Sequence, residues 1–193
     1  TDTIYIGTSN AAPDFNRDDR VGDNLYTATV LALDPKSGKI KWHRQEVPND
    51  TWDFDSAYEA LLVPDGRGAG KGSLVHLNKN GFVYVMDKDD GSIRNVWQYT
   101  ENMNWAKGVD PKTGVAIEPN YPETGKTKLH CPNLLGARSW NHGAYNPKTK
   151  LWYSHGMEIC NTVTSAREEG PPPAGVGGLS LGLSDIKLVD PPN

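Results

Sequence analysis

One repeated pattern restricts what this chain can fold into more than any other feature. Residues Ala32-Leu33-Asp34-Pro35-Lys36-Ser37-Gly38-Lys39-Ile40-Lys41-Trp42 read A-x-D-x-x-x-G-x-x-x-W across a tight turn. A looser copy follows as Val85-Met86-Asp87, then Gly91, then Trp97, with the tryptophan displaced by two residues. The two aspartates stand 53 positions apart. A strand, turn and strand closing on tryptophan, recurring at blade-sized spacing, points to a β-propeller. The Asp and Gly shape the turn, and the Trp packs between neighbouring sheets. Two unrelated hairpins would leave the same trace.

The rest of the chain agrees with an all-β class. β-rich runs cover Thr3–Thr8, Leu25–Asp34 and Lys39–Gln45. Leu74–Leu77, Phe82–Asp87 and Ser92–Tyr99 are expected to form a three-stranded meander, turned first at Asn78-Lys79-Asn80-Gly81. Asn-Gly is a strong hairpin signal. Glu101–His130 is read as an excursion over one face, and strand character returns at Leu151–Ser154 and weakly at Ile186–Val189. Residues 170–178 are read as a loop or linker within one partial propeller domain over 1–193. Helical periodicity is scarce, and 20 Gly with 14 Pro break the chain often.

Several functions are excluded early. A net charge of −4 does not suit a chain that must neutralise phosphates, so no nucleic-acid partner is expected. No apolar run approaches the ~18 residues of a membrane span. Gly66–Ser73 looks like a phosphate loop but lacks the G-x-x-x-x-G-K-[ST] spacing, and is read as a hairpin loop. Asp87–Gly91 resembles a calcium loop, but its glycine falls one position early. No H-E-x-x-H, C-x-x-C-H or dinucleotide fingerprint occurs. Two cysteines allow one bridge or two free thiols.

An ordered series of segments carries a family resemblance. It runs Gly7-Thr8-Ser9-Asn10, Gly22-Asp23-Asn24-Leu25-Tyr26, the tryptophan repeat, and Asn49-Asp50-Thr51-Trp52-Asp53-Phe54-Asp55. It continues through Asn78-Lys79-Asn80-Gly81-Phe82, Asn104-Trp105-Ala106-Lys107-Gly108, and Cys131-Pro132 to Cys160. Over roughly residues 3–162 the chain resembles the quinoprotein alcohol dehydrogenases, which use pyrroloquinoline quinone (PQQ) and include methanol dehydrogenase. The resemblance implies part of an eight-bladed propeller, about three to four blades here, with the quinone on the axis beside a metal ion.

It also implies roles for particular residues. Asn10 matches a metal ligand, and an amide oxygen suits a hard cation. Asp53 matches the catalytic aspartate, which takes the hydroxyl proton of an alcohol. Asp55 lies two residues on; in extended backbone it faces the same side, and two such carboxylates repel unless a cation sits between them. Members with Asp there resemble the lanthanide-using branch; calcium is the alternative. Lys79 matches the cation set against the quinone's ring carbonyls. Ser139 falls where many relatives place an asparagine contacting the quinone; serine is shorter, so the contact passes to Trp140, Asn141 or a water. Cys131 and Cys160 match a family disulfide, which fits an oxidising, periplasmic compartment.

The resemblance implies an alcohol or sugar alcohol as substrate and a cytochrome c or quinone as electron acceptor. It places the quinone's stacking partners and a further metal-binding glutamate upstream of these residues. The chain is therefore expected to be a segment, closed by propeller blades of the same or another chain. The competing expectation is a non-catalytic propeller scaffold carrying the same tryptophan repeat, which would need none of Asn10, Asp53, Asp55 or Lys79 on its axis.

Overall fold

The computed structural model describes residues 2–64, 71–168 and 179–192. Among them the chain is all-β, with antiparallel pairing throughout. No described helix is long and apolar enough to cross a membrane. The first sheet is ordered β1 (Ile4–Gly7), β2 (Thr29–Leu33), β3 (Ile40–Gln45). The second is ordered β4 (Ala60–Pro64), β5 (Gly72–Leu77), β6 (Phe82–Asp87), β7 (Ile93–Gln98). The second sheet thus has four strands rather than the three of the expected meander. Its extra strand, β4, is an apolar run without alternation, so period-two reading passes over it.

The stretch expected to be an excursion holds more structure than composition suggests. A short hairpin joins β8 (Gly108–Val109) to β9 (Ala116–Ile117), and β10 (Thr127–His130) follows. After it come a second short hairpin, β11 (Ala144–Asn146) with β12 (Leu151–Tyr153), and then β13 (Cys160–Ser165) and β14 (Leu183–Val189). The third sheet is ordered β10-β13-β14. The Leu25–Asp34 run is also shorter than expected: Asn24 and Ala28 adopt left-handed φ of 52° and 44°, and the strand starts at Thr29. The 170–178 segment lies outside the described residues, as does most of Gly66–Ser73.

The turn signature is more widespread than the sequence reading found. Asp34–Gly38, Asp87–Gly91, Asp110–Gly114 and Asn146–Lys150 all close with an amide of the fifth residue donating to the carbonyl of the first, at 2.8 Å each. The first side chain caps the turn: Asp34 Oδ1 accepts from the amides of Lys36 and Ser37, and Asp110 Oδ1 from those of Lys112 and Thr113. The fifth residue needs a left-handed φ, which is 70°, 72°, 72° and 59° in the four turns. Glycine adopts this freely; Lys150 is the exception.

Trp42 docks as its repeat demands. It is 8% exposed, and its Nε1 donates to the carbonyl of Lys88 in the next sheet's turn at 3.1 Å. A Cβ on Gly91 would come within 2.5 Å of the indole, so the glycine answers both the turn and the tryptophan. Trp97 differs: it is 45% exposed and lines an open cleft of about 570 Å³ with Tyr145, Lys150 and Trp152. Beneath the loops between the first two sheets, Trp52, Phe54 and Trp105 form a buried aromatic cluster, with Trp52 and Trp105 centroids 5.3 Å apart.

Candidate active site

That aromatic cluster presents the acidic residues. Trp52 and Phe54 are 2% and 0% exposed, while Asp53 and Asp55 between and beyond them reach outward. Alternation therefore sends both carboxylates the same way, but the backbone is not a strand. Asp53 has a left-handed φ of 64°, held by its neighbours. The wholly buried Asp50 accepts hydrogen bonds from the amides of Trp52 (3.1 Å) and Phe54 (2.9 Å), clamping the chain on either side of Asp53. A non-glycine residue at such a φ costs of order 1 kcal/mol and persists only where its surroundings enforce it.

The cation between the carboxylates is Lys79. Its Nζ lies 3.2 Å from Asp53 Oδ2 and 2.9 Å from Asp55 Oδ2, and its side chain is 5% exposed. Lys79 is carried by the tight turn between β5 and β6. Its carbonyl accepts from the amide of Ala137 (2.9 Å), and Gly136 leaves room for its side chain, since a Cβ there would fall 2.5 Å from Lys79 Cγ. Asp55 is further fixed by Ser9 Oγ (2.6 Å) and by the amide of Asn10 (2.9 Å), both donating to Oδ1.

These contacts push the two carboxylates apart in acidity. Burial raises the pKa of Asp53 to about 7, with Lys79 opposing and Asp55 adding to the rise. Burial acts on Asp55 in the same sense, but Lys79, Ser9 and the Asn10 amide outweigh it, and its pKa is lowered. Burial disfavours the charged form of Lys79, yet the two aspartates more than compensate and its pKa is raised. The site therefore holds one carboxylate firmly ionised and one poised near neutrality, a separation that suits a base beside an electrostatic anchor.

The structure brings Asn10, Asp53, Asp55 and Lys79 together. Ser139 reaches them through the Tyr58 hydroxyl, which lies 3.4 Å from Asp55 Oδ2. Trp140 is 76% exposed and hydrogen-bonds none of them among the described residues. Sequence reasoning missed Ser9, Asp50 and Tyr58, although Ser9 and Asp50 lie inside quoted segments. It also missed Glu46, whose signal, an acidic residue just after the alternating, largely polar strand Ile40–Gln45, is no different from a surface one. The Cys131–Cys160 disulfide forms, and the amide of Asn104 donates to the Cys131 carbonyl.

Asp53, Asp55 and Asn10 offer oxygen alone, which is the chemistry of a hard cation. Among the described residues no three His, Cys, Asp or Glu side chains form a metal cluster. The three oxygen-bearing side chains fit part of a shell that takes about six to eight oxygens. The rest must come from elsewhere.

The comparisons with known proteins point the same way. The family described as glucose/ethanol/alcohol dehydrogenase, β-propeller domain (PQQ), matches residues 1–109. The quinoprotein alcohol dehydrogenase PedE of Pseudomonas putida is 35% identical over 176 residues, 82% of this chain and 28% of that protein. Among solved structures, the quinohemoprotein alcohol dehydrogenase of Comamonas testosteroni superposes with a TM-score of 0.82 at 32% identity, covering 99% of this chain and 29% of that one. A europium-containing methanol dehydrogenase gives a TM-score of 0.81 at 28% identity, covering 97% of this chain and 32% of that one. The chain thus spans about a third or less of the length of each. With a turn whose tryptophan, Trp42, docks onto the next sheet, and a family match over more than half its length, this chain belongs to the PQQ-dependent alcohol dehydrogenase β-propellers.

Proposed function

We propose that this chain supplies one side of the active site of an enzyme that oxidises an alcohol or sugar alcohol, with Asp53 as the base. The observation that carries the reading is the convergence of Asp53 and Asp55 on the buried Lys79 ammonium. In the ion-free chain burial holds the Asp53 pKa near 7, within the range where proton transfer to a base is most effective. Asp53 takes the hydroxyl proton as the C–H bond breaks. Asp55 stays ionised and holds the ammonium in place. Lys79 stays charged and sets a fixed positive field beside the reacting oxygen, in a site with little water to screen it.

The family implies PQQ and a metal ion, with Asn10, Asp53 and Asp55 as metal-binding residues and Lys79, Ser139 and Trp140 as cofactor-facing ones. When bound, the quinone supplies the two-electron acceptor and the ion a Lewis acid beside it. A second carboxylate favours a trivalent ion over a divalent one, so a lanthanide is the proposed metal, with calcium as the alternative. The europium named in one structural neighbour supports this. A cytochrome c or a quinone is the proposed electron acceptor, in keeping with relatives named as quinohemoproteins. The disulfide and the bacterial relatives support a periplasmic location.

The test is dye-linked alcohol oxidation by the intact protein, reconstituted with PQQ and either calcium or lanthanum. Asp53→Asn is expected to lower kcat by about 100-fold or more. Asp55→Ala is expected to abolish the preference for lanthanum. Full activity in Asp53→Asn would end the base assignment, and an unchanged metal preference in Asp55→Ala the lanthanide one.

A further inference from the structure

A carboxylate buried behind the site carries an inference of its own. Glu46 follows β3 and is fully buried. Its Oε2 accepts from Ser56 Oγ at 2.7 Å and from Asn78 Nδ2 at 2.8 Å. Both its oxygens lie 2.9 Å from Nδ1 of the wholly buried His76 on β5. Asn78 Nδ2 also reaches Ser56 Oγ at 3.0 Å and the carbonyl of Asp55 at 3.3 Å.

The partners matter because of where they sit in the chain. Ser56 directly follows Asp55, and Asn78 directly precedes Lys79. The Ser56 amide donates to the carbonyl of Thr8 at 3.0 Å, which anchors the strand leading to Ser9 and Asn10. Three separate segments of the site therefore meet on one carboxylate. A buried carboxyl group is a costly way to fill space unless its hydrogen bonds are met, and an apolar residue of similar volume is often as stable. What a carboxylate adds here is directed acceptors, which fix where its neighbours stand.

We propose that Glu46 is a positioning residue: through Ser56 and Asn78 it sets the placement of Asp55 and Lys79, and so the geometry of the reacting site. The proposal rests on the reading of Asp53 as base and Lys79 as fixed cation. A misplacement of ~1 Å in such a site costs on the order of 100-fold in rate. Gln keeps the shape and an oxygen able to accept from both Ser56 and Asn78. Leu removes every acceptor.

The experiment compares Glu46→Leu, Glu46→Gln and Asp53→Asn in the intact, PQQ-loaded protein with ethanol as the probe alcohol. Glu46→Leu is expected to lower kcat about 10- to 100-fold with KM within about twofold, and Glu46→Gln to restore kcat to within about threefold of the parent. Hydrogen exchange in Glu46→Leu is expected to quicken about tenfold or more in peptides spanning 50–56 and 78–82, and to stay unchanged in β13 and β14. If Glu46→Leu does not fold, Asn78→Ala carries the same expectations. The proposal falls if folded Glu46→Leu or Asn78→Ala keeps the parent kcat, if Glu46→Gln is as impaired as Glu46→Leu, or if exchange quickens evenly across β4 to β7. Full activity in Asp53→Asn would instead strike the underlying reading, and the exchange pattern would still decide the placement.

Discussion

Replacing Lys79 with Met, in intact protein stripped of metal and cofactor, should make stability fall with pH beyond the point where the parent levels off. In the parent, Asp53 has a folded pKa near 7 against an ordinary 3.8. The folded state therefore binds more protons than the unfolded one across that window, and stability declines as pH rises through it. Lys79 opposes the rise, at 3.2 Å from one carboxylate and 2.9 Å from the other. At an effective dielectric of ~20, each such contact is worth roughly 5 kcal/mol before the cost of burying the ammonium. Removing one partner of a buried pair typically costs about 3–5 kcal/mol. Asp53 and Asp55 retain 19% and 17% exposure, which favours the lower end.

The sign with pH follows from the same contacts. Without Lys79 the Asp53 pKa moves above 7, and each further unit costs ~1.4 kcal/mol once the pH exceeds it. Below pH 6 Asp53 is protonated in both proteins and that part of the penalty disappears. Urea midpoints measured at pH 6 and pH 8 should thus show a gap between parent and variant that widens by about 1–1.5 kcal/mol. A gap that stays constant, or narrows, would refute the assignment of Lys79 as the counter-charge of Asp53.

Two more outcomes follow from the packing. Gly91→Ala combines an unfavourable residue at φ 72° with a Cβ 2.5 Å from the Trp42 ring, and should cost about 2–4 kcal/mol in urea unfolding while loosening the Trp42–Lys88 contact seen by indole fluorescence. His130 is 2% exposed with both ring nitrogens unpartnered, and burial pushes its pKa down to about 4 from 6.5. The unfolded state then binds the extra proton first, so stability is lost as pH falls from 6.5 towards 4. The loss should be about 2 kcal/mol by pH 5, and His130→Phe should remove it from the urea midpoint's pH profile.

Much of the fold was legible because its signals are local. The Asp34–Gly38 and Asp87–Gly91 turns are written in the residue types their geometry demands, and Phe82–Asp87 emerges with the bounds that the turns on either side of it imply. Most of the strands that escaped notice have no local mark; β13 is the exception, since its Thr162-Val163-Thr164 run is β-branched and was passed over. β4 is uniformly apolar, β8 and β9 have two residues each, and β10 becomes a strand only by pairing with β13, more than thirty residues later. The repeat motif foretold the docking of Trp42 but not the open position of Trp97, because that depends on what faces it. There Lys150 stands where the other turns have glycine.

The sequence by itself pointed to the all-β architecture, the family and the four candidate residues Asn10, Asp53, Asp55 and Lys79, because turn chemistry and short motifs are carried within a few residues. Only the tertiary structure decided what those residues do to one another. Lys79 lies 24 positions from Asp55 and becomes its partner through a hairpin turn held by residues 136 and 137. The separation of acidity between Asp53 and Asp55 comes from unequal burial and unequal hydrogen bonding, which spacing cannot express. Glu46 is the extreme case: its role depends on Ser56, His76 and Asn78 arriving at one point. Side-chain placement of that kind is settled by long-range packing, where desolvation makes each charged contact matter.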